Sequence, residues 1–228
     1  MAKPTFSTQT VESRNSVVDS RLKPTAEMHI LVGGSYTKDG EEHRYGHTAL
    51  RVNTRLSGIT YDFGRYGITR GIFGESGEGI LRVWSSFDAY IKGENALNRV
   101  TTGFVYAIFD HQAKAATDYF GALIKVGTHL VVKDRAAMKV YKLTTDYHAL
   151  GPNCTTLSVD GAKHAIPNID AGSEKFNKPE DVLSGAERFA LAANGGADRL
   201  FLPANLQAFL NSVSPSKAIR IERYGVRK

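Results

Sequence analysis

The chain of 228 residues holds one cysteine, Cys154, so no intramolecular disulfide can staple the fold, and cysteine pairing says nothing about compartment. No apolar run approaches the roughly 18 residues a membrane span requires, which predicts no integral membrane segment. Met1 to Pro24 is polar and rich in Ser, Thr and charge, without the apolar stretch of about 7–15 residues of a secretory leader, so no Sec signal is expected. Apart from His47, the histidines (His29, His43, His111, His129, His148 and His164) are scattered. They make neither a His-Glu-x-x-His nor, with one cysteine, a Cys-x-x-Cys spacing, so neither a metal site nor a cofactor is expected. Lys and Arg exceed Asp and Glu by 29 to 23, for a net charge of +6, yet form no run of 5–8 basic residues. A solvated basic surface fits that scatter better than a nucleic-acid face, and no nucleic acid is expected as partner.

What is present is the composition of an ordinary globular chain, 42% hydrophobic and 23% charged. The length suits one domain able to bury a core unaided. We read residues 1–24 as a flexible arm and 25–228 as a single catalytic domain with a C-terminal helical extension. Met28 to Val32, His47 to Val52, Ile59 to Phe63, Ile80 to Trp84 and Val100 to Phe109 have the β-branched and aromatic content of strands, and Ser57-Gly58 marks a hairpin turn. In that hairpin His47 and Asp62 face each other across neighbouring strands. Gly64 to Gly79 reads as a mobile glycine-rich loop and Ser86 to Tyr90 as a short helical turn. Ala113 to Val126 carries Ala116, Tyr119, Phe120, Leu123 and Ile124 at helical spacing. A short strand at Lys139 to Leu143, helices at Pro179 to Ala193 and Pro203 to Leu210, and a strand-like Ala218 to Glu222 complete the order. Strands first and helices later give an α+β fold, an antiparallel sheet of about five strands packed against helices, rather than βαβ units.

The chemistry concentrates at Gly151-Pro152-Asn153-Cys154-Thr155-Thr156. Gly-Pro breaks the preceding segment, Asn153 can cap, and the cysteine then sits at a helix start, where unpaired N–H groups and the helix dipole favour the thiolate. A lone cysteine is more often a small buried hydrophobe. Here it is joined by a histidine in Tyr45-Gly46-His47-Thr48 and a carboxylate in Tyr61-Asp62-Phe63-Gly64. Nucleophile, base and orienting acid are therefore all available as Cys154, His47 and Asp62. The alternative for Asp62 is a turn-capping aspartate. Tyr45, Asn153 and His148 are candidate substrate or oxyanion contacts, and the Cys154 N–H is the simplest oxyanion donor.

Gly46-His47 on a strand, followed about a hundred residues later by Asn153-Cys154-Thr155-Thr156 opening a helix, resembles the circularly permuted papain-like proteins of the NlpC/P60 superfamily. That group includes lecithin:retinol acyltransferase-like enzymes and bacterial toxin domains. The resemblance spans roughly residues 28–165 and implies a sheet bearing the histidine and a third polar residue, a helix bearing the cysteine, and chemistry on acyl groups. Cys154 matches the nucleophile and His47 the base. Many lecithin:retinol acyltransferase-like members have a second histidine at the third position; this chain has Asp62.

The resemblance further implies an antibacterial effector carried by a specialised apparatus such as type VI secretion. It would act in the target cell's periplasm or envelope, with a secretion carrier and a cognate immunity protein as partners. Two envelope substrates fit: the peptide amide of peptidoglycan, which leads, and the acyl ester of a phospholipid, for which Phe73, Trp84, Phe87 and Tyr90 could form an interfacial surface or simply core. A non-catalytic binding module with a buried, inert cysteine is the reading from another class.

Overall fold

The central strands are buried along almost their whole length, because both faces of the sheet they form are covered. The structure, a computed structural model, describes residues 23–38, 41–43, 45–71, 76–133, 136–193, 199–212 and 217–225. All of the expected N-terminal arm but residues 23 and 24 lies outside these, as does Phe73. In chain order the strands are β1 (Ala26–Gly33), β2 (Tyr36–Lys38), β3 (Glu41–His43), β4 (His47–Asn53), β5 (Gly58–Gly64), β6 (Thr69–Arg70), β7 (Ser76–Gly77), β8 (Ile80–Trp84), β9 (Thr101–Ile108), β10 (Thr128–Leu130), β11 (Met138–Lys142), β12 (Tyr147–His148) and β13 (Arg220–Tyr224). The helices are α1 (Phe87–Asn95), α2 (Asp110–Val126), α3 (Cys154–Ala165), α4 (Gly185–Ala193) and α5 (Pro203–Asn211), with 3₁₀ turns at Ser173–Phe176 and Pro179–Asp181.

The main sheet has eight strands, in the order β10-β11-β8-β5-β4-β1-β9-β13, and every pairing in it is antiparallel. The α+β class holds; the expected count of about five strands is corrected to eight. The five central strands are those whose patterns were plain. At the flanks, β11 and β13 fall on the short strand expected at Lys139 to Leu143 and the strand-like Ala218 to Glu222, and the three-residue β10 is the strand that was not expected. Two further corrections concern local structure. Pro179 to Ala193 is not one helix, because Ser184 and Glu187 form a reciprocal cap that starts α4 afresh: Ser184 N–H and Oγ donate to the Glu187 carboxylate at 2.7 and 2.6 Å. The glycine-rich stretch is not all loop, since β6 and β7 pair within it and β7 pairs with β12 (His148 opposite Ser76, Tyr147 opposite Gly77) in a separate small sheet. Gly79 lets this sheet approach, since a Cβ there would lie 2.1 Å from the Thr145 carbonyl.

Both faces of the main sheet are covered. Met28, Ile30, Leu50, Val52, Phe63 and Phe104 meet Phe120 of α2, Val159 and Ala162 of α3, and Leu206 and Phe209 of α5. Leu31, Ala49, Ile80 and Trp84 on the other face pack with Tyr90 and Phe87 of α1. Each such side chain fully withdrawn from water contributes about 1.5–3 kcal/mol, which fixes strand register, because a one-residue slip would turn one face into the other. Helix α3 packs on β4 and β5 and against α2, and this sets its first residue beside the first residue of β4.

Candidate active site

The cysteine is positioned by its own cap. Asn153 has extended backbone (φ −141°), and its side-chain Oδ1 accepts the Thr155 and Thr156 N–H groups at 2.9 and 3.1 Å, while Thr156 Oγ1 accepts the Asn153 backbone N–H at 2.9 Å. Asn153 Nδ2 donates to the carbonyls of Ala149 and Phe201 at 2.8 and 2.9 Å, tying the helix start to two loops. With both amide hydrogens and the carbonyl oxygen engaged and the residue buried, the Asn153 side chain is a positioning group with nothing left to offer a substrate. Cys154 itself, at the first helical position, keeps an N–H with no intrahelical acceptor.

The histidine is positioned by a glycine. Gly46 has φ +73°, and a Cβ there would sit 2.5 Å from the Gly33 carbonyl, so only glycine turns the chain into β4 at this point. The next side chain along β4, Thr48, faces α3 and its Oγ1 lies 3.1 Å from Thr155 Oγ1, a direct tie between strand and helix. His47, at the end of the sheet, hydrogen-bonds the Cys154 thiol.

Asp62 stands behind the histidine. The β4–β5 register pairs Leu50 with Tyr61, so Ala49 comes beside Asp62 and His47 lies diagonally, two residues on, along the same face. His47 Nε2 is 2.7 Å from Asp62 Oδ1, which leaves Nδ1 for the thiol. Asp62 is fully buried and saturated with donors. Tyr66 Oη reaches Oδ1 at 2.8 Å; Arg82 Nε and Nη2 reach Oδ2 at 2.8 and 2.5 Å, and Trp84 Nε1 at 3.3 Å. The Arg82 guanidinium also lies over the Tyr66 ring, 3.4 Å from its centroid.

Burial alone would raise the Asp62 pKa, but Arg82 first, then His47 and Tyr66, hold the carboxyl well below the usual range. Burial would likewise discharge His47; the Asp62 charge and hydrogen bond outweigh it and raise the imidazole well above its ordinary value. For Cys154 burial opposes ionisation, while the His47 hydrogen bond and charge, the Thr48 backbone and the Thr155 hydroxyl together bring the thiol below its usual value. All three shifts favour a thiolate beside an imidazolium. Tyr147, hydrogen-bonded to Cys154, is held neutral by burial first and by the neighbouring sulfur second.

Two cavities flank the pair. One, of about 270 Å³, is walled by Cys154, His148, Leu150, Ala190, Leu202 and Pro203 among others. The second, of about 460 Å³, is walled by His47, Tyr66, Arg82, Trp84, Glu94 and Arg99 among others. Tyr45, Gly46, Arg65 and Tyr147 border both. His148 is half-buried wall rather than chemistry: its Nδ1 accepts the Leu150 N–H at 3.2 Å, and its own N–H donates to the Pro152 carbonyl at 2.8 Å. Tyr45 packs against the cluster of Leu183, Leu191, Phe201 and Leu202.

The structure thus brings Cys154, His47 and Asp62 together, with Tyr45, Asn153 and His148 around them. Sequence reasoning missed Arg82, Tyr66, Trp84, Thr48, Thr155 and Tyr147. Arg82 had a signal: it is a lone cation in the apolar segment Ile80 to Trp84, and the register sets it directly opposite Asp62. Among the described residues no group of three or more His, Cys, Asp or Glu could hold a metal ion, and no helix is long and apolar enough to cross a membrane. No protein-family model, curated protein or solved structure was found to match the chain.

Proposed function

We propose that the chain is a cysteine hydrolase of permuted papain-like type that cleaves peptide amide bonds of peptidoglycan through a thioester. The observation that carries this reading is the relay itself: one buried imidazole hydrogen-bonded on one side to Asp62 and on the other to a thiol at a helix N-terminus that opens on a cavity. In the first step the Cys154 sulfur attacks the carbonyl carbon and the Cys154 N–H is available to the oxyanion. The C–N bond breaks as His47 gives its proton to the departing amine. Water then attacks the thioester, His47 takes the water's proton, and the C–S bond breaks to release the acid and restore the thiolate beside the protonated His47.

The two cavities give the substrate a direction. The acyl part is bound to sulfur after the first step, so it belongs on the Cys154 side; the leaving group must meet the His47 proton, so it belongs on the His47 side. An amine leaves only as it is protonated, and an imidazole kept charged supplies that proton, which favours an amide over an ester. Delivery by a secretion apparatus such as type VI, action in the target cell's periplasm and neutralisation by an immunity protein follow from the same reading.

A phospholipid acyl ester is the second reading. Its support is the apolar wall of the Cys154 cavity and, on the helix that contributes Ala190 to that wall, Phe189 at 78% exposure. The test is to incubate wild type and Cys154→Ala separately with purified peptidoglycan and with phospholipid vesicles, following muropeptides and released fatty acid by mass spectrometry. Cys154-dependent muropeptide release is expected. Cys154-dependent fatty-acid release alone would replace the first reading by the second, and activity that survives in Cys154→Ala would overturn both.

A further inference from the structure

The main sheet ends at β13, which pairs with β9 along all five of its residues, from Arg220 opposite Val105 to Tyr224 opposite Thr101. Sheet edges are commonly kept from pairing by proline, by a covering element or by charge. Strand β13 has no proline, and its charges differ in sign. Two isoleucines lie open to water here, Ile219 at 58% and Ile221 at 53% exposure. Ile221 is opposite Phe104, so it points to the face that carries α2, α3 and α5, at the margin of the cover those helices give. The other face of the strand is polar. Arg220 donates to both oxygens of Glu27 on β1, at 2.5 and 2.8 Å, and to Glu222 at 2.6 Å, and the Tyr224 hydroxyl donates to Glu222. Arg220 and Glu222 both keep part of their side chains in solvent.

We propose that this edge pairs with the same edge of a second copy of the chain, joining two eight-stranded sheets through an antiparallel β13–β13 contact. Antiparallel pairing about a two-fold axis sets one residue opposite its own copy, and the charges select which one. Centred on Ile221, the contact sets Arg220 opposite the partner's Glu222, Glu222 opposite the partner's Arg220, and the two Ile221 side chains against each other. Centred one residue to either side, it sets Arg220 against Arg220 or Glu222 against Glu222. The strand is thus self-complementary in one register and repelled in the two beside it. In the favoured register each Arg220 lies between two Glu222 carboxylates and keeps its bonds to Glu27, while the Ile221 pair leaves water. A single strand pair is a small interface, so the dimer is weak and forms with rising concentration. No residue of β13 walls either cavity, and the contact stands apart from the proposed chemistry.

The test is sedimentation equilibrium of the full-length chain over a series of concentrations. Wild type should pass from monomer to dimer mass as concentration rises. Arg220→Glu and Glu222→Arg each place two like-charge pairs in the contact and should weaken association on the order of tenfold. Mixed in equal amounts, the two variants rebuild both opposite-charge pairs between them, so the mixture should associate more strongly than either variant alone. Loss of folding cannot be repaired by mixing, which separates the contact from any effect of the lost Arg220–Glu27 bonds. Ile221→Lys, at a half-exposed position, should melt with wild type and stay monomeric. A wild type that is monomeric at every concentration, as it would be if another part of the chain covered the edge, would overturn the proposal. Single variants that associate as wild type does, or a mixture no better than its components, would overturn it equally.

Discussion

Replacing Asp62 by Asn keeps the size of the side chain and turns one acceptor oxygen into a donor. In the wild type Oδ2 receives both Arg82 contacts and the Trp84 N–H, whereas Oδ1 receives only His47 and Tyr66. The amide therefore keeps its oxygen toward Arg82 and turns its NH₂ toward His47, because Tyr66 can rotate its hydroxyl to accept and Arg82 has no such freedom. His47 Nε2 must then become an acceptor, and the proton moves to Nδ1, the nitrogen that faces the thiol. An imidazole in that tautomer cannot draw the thiol proton. The expected loss is about 10³–10⁴ in kcat, or roughly 4–5.5 kcal/mol of transition-state stabilisation. Arg82, with 19% of its side chain exposed, also loses its counter-charge while keeping one acceptor, at a cost of about 3 kcal/mol and a fall in Tm of about 6–12 °C. Steady-state kinetics on muropeptides and a thermal melt read the two effects separately. A kcat within tenfold of wild type alongside the lower Tm would refute the orienting role and leave Asp62 a purely structural partner of Arg82.

Three further substitutions test the local geometry. Asn153→Ala removes the cap of α3 and strips the donors from the Ala149 and Phe201 carbonyls, so it should cost about 3–5 kcal/mol in urea unfolding; a loss under 1 kcal/mol would show the cap to be dispensable. Gly46→Ala should destabilise by about 1–3 kcal/mol or more and depress Cys154 alkylation by displacing His47, because of its positive φ and the 2.5 Å approach to Gly33. Gly121→Ala on α2, with open space around the new methyl, should instead stabilise by about 0.5–1 kcal/mol, and equal effects at the two sites would refute the strain argument.

The elements that hold the site were legible because each has a local cause. The Gly-Pro break and Asn cap mark the start of α3, and β4 and β5 are β-branched and aromatic segments on either side of a short turn. The relation of His47 to Asp62 was legible only in part: the two share a face, as expected, but sit diagonally rather than opposite, since register depends on where the turn closes. What lies deeper was not legible. Two-residue strands such as β7 and β12 show no periodicity, so the small sheet that brings Tyr147 and His148 to the thiol leaves no pattern in the sequence. Arg82, Tyr66 and Trp84 converge on Asp62 from another strand and a loop, a contact set by packing rather than by spacing.

The most direct test of the Cys154–His47 pair is the pH dependence of Cys154 alkylation by iodoacetamide in wild type and His47→Gln. A thiol held below its ordinary value of 9.0 is still thiolate as the pH falls through that value, so the wild-type rate should persist below pH 9.0 and its midpoint should lie at lower pH than that of an ordinary thiol. In His47→Gln burial is left to dominate, and the rate should appear only above about pH 9. Coincident profiles in the two proteins, or a wild-type midpoint near the ordinary thiol value, would contradict the pairing on which the proposed chemistry depends.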